Sequence, residues 1–139
     1  NGGSAGIAVH MTADFLKNGQ MRAIDLYAPT TLTCLGNDYG YAYVFSKQLE
    51  ILATPGDVLV AISSSGNSPN ILRAAEAVQA VGGTIITFTG FKSDNCLRAM
   101  GHRNLYVPSM EYGIVESIHN QILQQVVDEI MALDAQEGR

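Results

Sequence analysis

"DVLVAISSSGNSPNILRAAEAVQAVGG", residues 57–83, decides the fold. Its first seven residues are a short run of β-branched and apolar side chains of strand length. From Asn70 to Val81 the chain places Ile71, Ala74, Ala75 and Val78 at i, i+3, i+4 and i+7, one face of a helix, and Gly82-Gly83 ends it. A strand that passes through a serine-rich turn straight into an amphipathic helix is the first half of a parallel crossover.

The alternation continues outward. "TLTCL" (31–35), "TIITFTG" (84–90) and "NLYVP" (104–108) read as further buried parallel strands. Val44, Gln48 and Ile51-Leu52 carry a helix that Pro55-Gly56 stops, and Ile114, Ile118, Ile122, Val126, Ile130 and Leu133 carry another over 114–133. This order implies an α/β fold: a parallel sheet with helices on both faces, a three-layer sandwich. No linker, repeat or low-complexity segment interrupts it, so residues 1–139 form a single domain. The opening "NGGSAGIAVHMTADFLKNG" (1–19) is a Gly-rich loop running into a helix. Such a loop ordinarily follows a strand, so the natural chain is expected to begin earlier, with an N-terminal segment missing here.

Composition narrows the function classes. With 47% apolar residues in 139 the chain can bury one core. Its net charge of -5 has no compensating basic stripe, since the eight Lys and Arg are scattered, which argues against a nucleic-acid partner. No apolar run approaches the roughly 18 residues of a membrane span. Cys34 and Cys96 lack CxxC or zinc-finger spacing and read as reduced packing residues of a cytoplasmic protein.

Between strand and helix, Ser63, Ser64, Ser65 and Ser68 surround Gly66 and Asn67, with Pro69 at the first helical position. A helix N-terminus offers unpaired N–H groups and the positive end of its dipole, small residues let an anion approach, and hydroxyls add donors. The alternative is ordinary helix capping, for which Ser68 alone would suffice. Four serines exceed that need, so the turn reads as a phosphate cradle. No GxxxxGK[ST] occurs, and "GGSAG" is not a dinucleotide fingerprint, so no nucleotide cofactor is expected.

Two helical pairs carry titratable chemistry. His10 and Asp14 are i, i+4 beside an apolar stripe of Ile7, Met11 and Phe15, and Glu116 and His119 are i, i+3. The spacing suits metal ligands or an acid/base pair, and equally solvated pairs on a helix surface. His102, beside Arg103, reads as a solvated turn residue, and the tyrosines of "DYGYAYVF" (38–45) as packing or subunit contacts.

"NGGSA" opening a helix, "GNDYGY", "ISSSGNSPNIL" and "EYGIVESIHNQIL" together resemble the sugar isomerase (SIS) domain family, in its phosphoheptose isomerase branch, over nearly the whole chain. The resemblance implies a five-stranded parallel sheet, its first strand absent here, and a homotetramer with sites at subunit boundaries. It implies phosphate binding by Ser63, Ser64, Ser65 and Ser68, with Gly66 and Asn67 shaping the loop, and Asn1, Gly2, Ser4, Asn37 and Asp38 facing the sugar.

It also implies a set of metal and acid/base positions that here read His10, Asp14, Glu116 and Gln124, where the branch carries His and Glu on the first helix and Gln and His on the last. A Zn²⁺ on His10 and its neighbours, Asp14 or Glu116 as base and His119 as acid would interconvert aldose and ketose phosphates of the heptose route through an enediolate. The altered helix positions leave a second reading: a non-catalytic phosphosugar-binding regulator or scaffold, similar to the replication-initiation regulators of the same family.

Overall fold

The computed structural model describes residues 1–138. In chain order the elements are α1 (Gly2–Lys17), α2 (Pro29–Tyr39), a 3₁₀ turn (Tyr41–Tyr43), α3 (Ser46–Leu52), β1 (Val58–Ser63), α4 (Pro69–Ala80), β2 (Thr84–Thr89), α5 (Cys96–Met100), β3 (Arg103–Tyr106) and α6 (Tyr112–Glu137). The strands form one parallel sheet in the order β1-β2-β3, with Val58 opposite Thr84 and Ile86 opposite Arg103.

Side chains alternate across the sheet and build a core on each face. Ala61 and Ile85 point to one face and pack with Val44, Phe45, Leu49, Ile71, Ala74, Ala75, Val78 and Leu97. Ile62 and Phe88 point to the other and pack with Ile7, Met11, Leu123 and Val127. Helices α3, α4 and α5 thus cover one side and α1 and α6 the other, the expected three layers. Each fully buried large side chain, such as Phe88 or Ile85, contributes about 1.5–3 kcal/mol by leaving water.

Residues 31–35 are not a strand. They lie within α2, which starts at Pro29 and places Leu32 and Leu35 one turn apart against the first core. The β-branched threonines suggested a strand, but Thr33 accommodates the helix by donating its hydroxyl back to the carbonyls of Pro29 and Thr30, at 3.0 Å each. The described sheet therefore has three strands rather than the expected four. The same change turns Cys34 outward: both cysteines are free, as expected, but exposed rather than packed.

On α6 the inward stripe is offset by one residue from the one the sequence suggests. Val115, His119, Leu123 and Val127 are buried, whereas Ile114, Val126 and Leu133 are exposed. Two adjacent apolar stripes made the phase ambiguous, and the shape of the sheet's face settles it. The second stripe is left partly uncovered, with Ile122 packed at the edge of the core and Ile114, Val126 and Leu133 exposed. On α3, likewise, Leu49 is buried and Ile51 is 84% exposed.

Candidate functional site

The carboxyl ends of parallel strands, where loops turn to opposite faces, are where open α/β sheets bind ligands. There a cavity of about 100 Å³ is lined by Asn1, Ser4, Ile62, Ser63, Ser64, Ser65, Ser68, Tyr112 and Glu116. Three elements converge on it: the start of α1, the turn from β1 to α4, and the first turn of α6.

The serine turn is shaped by its own backbone. Gly66 has φ +64°, and a methyl group on it would run into the side chain of Asn95. Its N–H donates to the Ser63 carbonyl at 3.0 Å and its carbonyl accepts from the Leu97 N–H at 2.9 Å. The Asn67 carboxamide oxygen accepts from the Cys96 N–H at 3.0 Å and its amide donates to the Ser65 carbonyl at 3.1 Å. Asn67 is thus turned away from the cavity and fixes the turn to α5.

The hydroxyls are not spent on capping. Ser68 is the N-cap residue of α4, yet its side chain makes no capping hydrogen bond; it meets the Ser63 hydroxyl instead, at 3.4 Å. Ser64 is buried, and its Oγ has no hydrogen-bond partner among the described residues. An orphaned buried hydroxyl costs about 1–3 kcal/mol, so one facing a cavity calls for a ligand.

The first loop is tied to this turn by amides. Asn1 and Asn70 exchange reciprocal side-chain hydrogen bonds, at 2.9 and 2.8 Å, and Tyr41 donates its hydroxyl to Asn1 Oδ1 at 2.9 Å. Asn70 is almost fully buried. The helical pattern concealed its role, because an asparagine beside the apolar stripe at a helix start looks like a solvated residue; its burial is the telling sign.

The third wall comes from α6. A Cβ on Gly90 would collide with Val115, so the bare glycine lets α6 sit close to the end of β2. That approach carries the next residue, Glu116, to the cavity. Its carboxylate lies over the backbone of Gly3, where a methyl group would come within 2.7 Å of Glu116 Cδ. Tyr112 stands beside it with its ring edge-on to Phe91, centroids 4.8 Å apart. Phe91 is held at φ +58°, a strained backbone of the kind found near functional sites.

The remaining candidates are placed elsewhere. Asp14 Oδ2 accepts from Gln124 Nε2 at 2.9 Å and lies 3.3 Å from His10 Nε2, and Asp14 Oδ1 accepts weakly from Asn18 at 3.4 Å. His10, Asp14 and Gln124 are therefore one cluster between α1 and α6. Glu116 shares no hydrogen bond with it among the described residues. His10, Asp14 and Gln124 bring three candidate donors together; among the described residues of this one chain no group of three or more His, Cys, Asp or Glu is placed to hold a metal ion. Gly2, at φ +54°, turns the first loop without lining the cavity. Asn37 and Asp38 are exposed at the end of α2, where the Asn37 amide donates to Asp38.

His119 is wholly buried, edge-on to Phe88 at 5.6 Å, with Nε2 3.1 Å from the Thr89 carbonyl. A carbonyl can only accept, so Nε2 carries the proton and Nδ1 holds a lone pair, without a partner among the described residues. Burial holds its pKa below the usual histidine value, partly opposed by the Thr89 bond and the Glu116 charge. His102 is exposed as expected, but its Nδ1 accepts from the Ile85 N–H at 3.0 Å, extending the ladder beside β2.

The chain is similar to proteins of known family over most of its length. A family model described as "SIS domain" matches residues 1–90. The phosphoheptose isomerases of Shewanella loihica and Aquifex aeolicus are 38% and 36% identical, each over 94% of this chain, and over 70% and 73% of their own lengths. The solved structure of a phosphoheptose isomerase from Francisella tularensis superposes with a TM-score of 0.86 at 34% identity, covering 94% of this chain and 71% of that one. The one from Neisseria gonorrhoeae gives 0.88 at 36%, covering 95% and 73%.

The buried neutral imidazole has a measurable signature. Because the folded pKa of His119 lies below the unfolded one, the unfolded chain binds the proton first as pH falls. Stability from this group is complete above about pH 6.5 and declines below it by about 1.4 kcal/mol per unit until the folded pKa is reached. Urea unfolding between pH 7.5 and 5 is expected to show that decline in the wild type and a flatter profile in His119→Gln. Parallel profiles would contradict the assignment.

Proposed function

The chain belongs to the SIS domain family, in its phosphoheptose isomerase branch, and from that membership and the geometry of the cavity we propose that it is an aldose–ketose isomerase of a sugar phosphate. The buried Ser64 Oγ, unpartnered among the described residues and set among the serine hydroxyls lining the cavity, none of them spent on capping α4, carries the reading. These hydroxyls form a neutral, donor-rich cradle at a helix N-terminus, which suits a phosphate dianion without any lysine or arginine. Each charge-assisted hydrogen bond contributes about 1.5–3 kcal/mol, so three or four hold a phosphosugar in the millimolar to micromolar range.

Asn1 and Ser4, which line the cavity with the serines, present an amide and a hydroxyl to the sugar's hydroxyls. A carboxylate, Asp14 or Glu116, takes the proton beside the carbonyl, and the donors around the cavity stabilise the enediolate. His119 lies too deep to be the acid and acts as a positioning residue, anchoring α6 to the end of β2. Its relatives are named phosphoheptose isomerases, and the family resemblance makes sedoheptulose 7-phosphate and a mannoheptose 7-phosphate the first substrates to try.

The partly uncovered stripe of α6, with Ile114, Val126 and Leu133, joins exposed Val9 and Leu16 of α1 in favouring a homo-oligomer, proposed to be a tetramer. Asn37 and Asp38, remote from this cavity, then face a site shared between subunits. No described helix is long and apolar enough to cross a membrane.

Incubated with C5 to C7 sugar phosphates in D₂O, the wild type is expected to exchange the C–H proton beside the carbonyl with solvent, by NMR, for a phosphorylated sugar and not for its unphosphorylated counterpart. Saturable binding of the phosphosugar without exchange would replace the isomerase by a regulatory binder. Sedimentation at micromolar concentration is expected to show an oligomer, and a monomer would remove the assembly.

A further inference from the structure

We infer that Asn70, helped by Tyr41, is a positioning residue that fixes the amide of Asn1 as a hydrogen-bond donor to the sugar. The inference rests on the phosphosugar reading above and deepens it. Asn1 lines the cavity, and Asn70 is not among the lining residues. Asn70 is the second residue of α4, two beyond Ser68, and only 2% exposed. Any effect it has on a ligand passes through its neighbours.

Asn1 is the N-cap residue of α1, a position at which an asparagine side chain ordinarily accepts from the backbone of the first turn. Here it makes no capping hydrogen bond. Its amide is turned across to α4 instead: Nδ2 donates to Asn70 Oδ1 at 2.9 Å, and Oδ1 accepts from Asn70 Nδ2 at 2.8 Å and from the Tyr41 hydroxyl at 2.9 Å. An amide oxygen has two lone pairs and an amide nitrogen two hydrogens. Both lone pairs of Asn1 are thus taken, and one N–H is left. That N–H is what Asn1 can offer the cavity, so the group it meets is an acceptor oxygen of the sugar. Without Asn70 and Tyr41 the amide is free to turn over and present its oxygen as readily as its nitrogen.

Stability alone does not account for the pair. The cap of α1 is forgone, and the surrounding face of α4, with Ile71, Ala74, Ala75 and Val78, is buried and apolar. A paired amide in such a place is little better for the fold than an apolar side chain of the same shape. What the pair adds is a fixed relation between two parts of the site, the serine turn ahead of α4 and the first loop ahead of α1. Phosphate and sugar meet different elements, and a phosphosugar benefits from both only when supporting contacts hold those elements in place.

The test compares a phosphosugar with inorganic phosphate on the full chain, by calorimetry and NMR titration, because phosphate meets the serines without the sugar's contact to Asn1. Asn1→Ala and Asn70→Ala are each expected to weaken phosphosugar binding by about three- to tenfold. The double variant is expected to lie within about twofold of the weaker single one, since both changes remove the same contact. Tyr41→Phe, at an exposed position, is expected to weaken phosphosugar binding by at least about twofold. Inorganic phosphate is expected to bind every variant within about twofold of the wild type, which also shows that each is folded. Unchanged phosphosugar affinity in Asn70→Ala, losses that multiply in the double variant, or equal weakening of phosphate and phosphosugar would overturn the inference and leave phosphosugar binding standing. If Asn70→Ala does not fold, Tyr41→Phe decides, and unchanged phosphosugar affinity there overturns the inference. Absence of phosphosugar binding in the wild type would overturn both.

Discussion

The turn from β1 to α4 is the constraint on which the rest of this molecule depends. A parallel strand buried on both faces must surrender its chain to a helix at its carboxyl end, and here five residues, 64–68, make the passage. Gly66 supplies the left-handed backbone, Asn95 fills the space that a side chain would take, and Asn67 fastens the turn to α5. The Ser63 and Ser65 hydroxyls also take part, accepting the Gly66 and Asn67 N–H groups at 3.2 and 3.3 Å, which leaves the Ser64 hydroxyl uncommitted and Ser68 without a capping bond. The cavity follows from that division: Gly66 and Asn67 shape the turn without lining it, and Ser64 and Ser68 line it without bonding the turn's backbone through their hydroxyls.

Two other elements reach the turn by close approach. The reciprocal amide pair of Asn1 and Asn70 ties the first loop to α4. Gly90 lets Val115 in, and with it the first turn of α6. Each contact sacrifices a side chain or buries a polar one, costs that a purely structural packing would avoid. They make sense together as the means of placing Ser4, the serines and Glu116 around one small volume.

Much of the fold was legible in the sequence because β1, β2, β3 and α4 have unambiguous periods. The failures have physical causes. Thr30, Thr31 and Thr33 favour a strand by type, yet Pro29 and the Leu32–Leu35 spacing commit the segment to α2. The phase of α6 could not be read because Ile114 to Leu133 and Val115 to Val127 are both apolar stripes, and which one is covered is decided by tertiary packing.

The serine cradle was legible from its excess over what a cap requires. The separation of Glu116 from the His10–Asp14–Gln124 cluster was not, since helical spacing places residues on a face without saying what faces them. Asn70 and Tyr41 were missed for the same reason: their partner, Asn1, is distant in sequence.

The central claim is that the serine turn presents hydroxyls to a phosphate, and Ser64 tests it most directly because its Oγ is buried and without a partner among the described residues. Calorimetric titration of Ser64→Ala and wild type with the same phosphosugar is the measurement. The account predicts affinity weaker by about 1–3 kcal/mol in the variant, with thermal stability of the free protein unchanged or raised, since an orphaned hydroxyl has been removed. Equal affinity, or a free protein made less stable by the substitution, would contradict it.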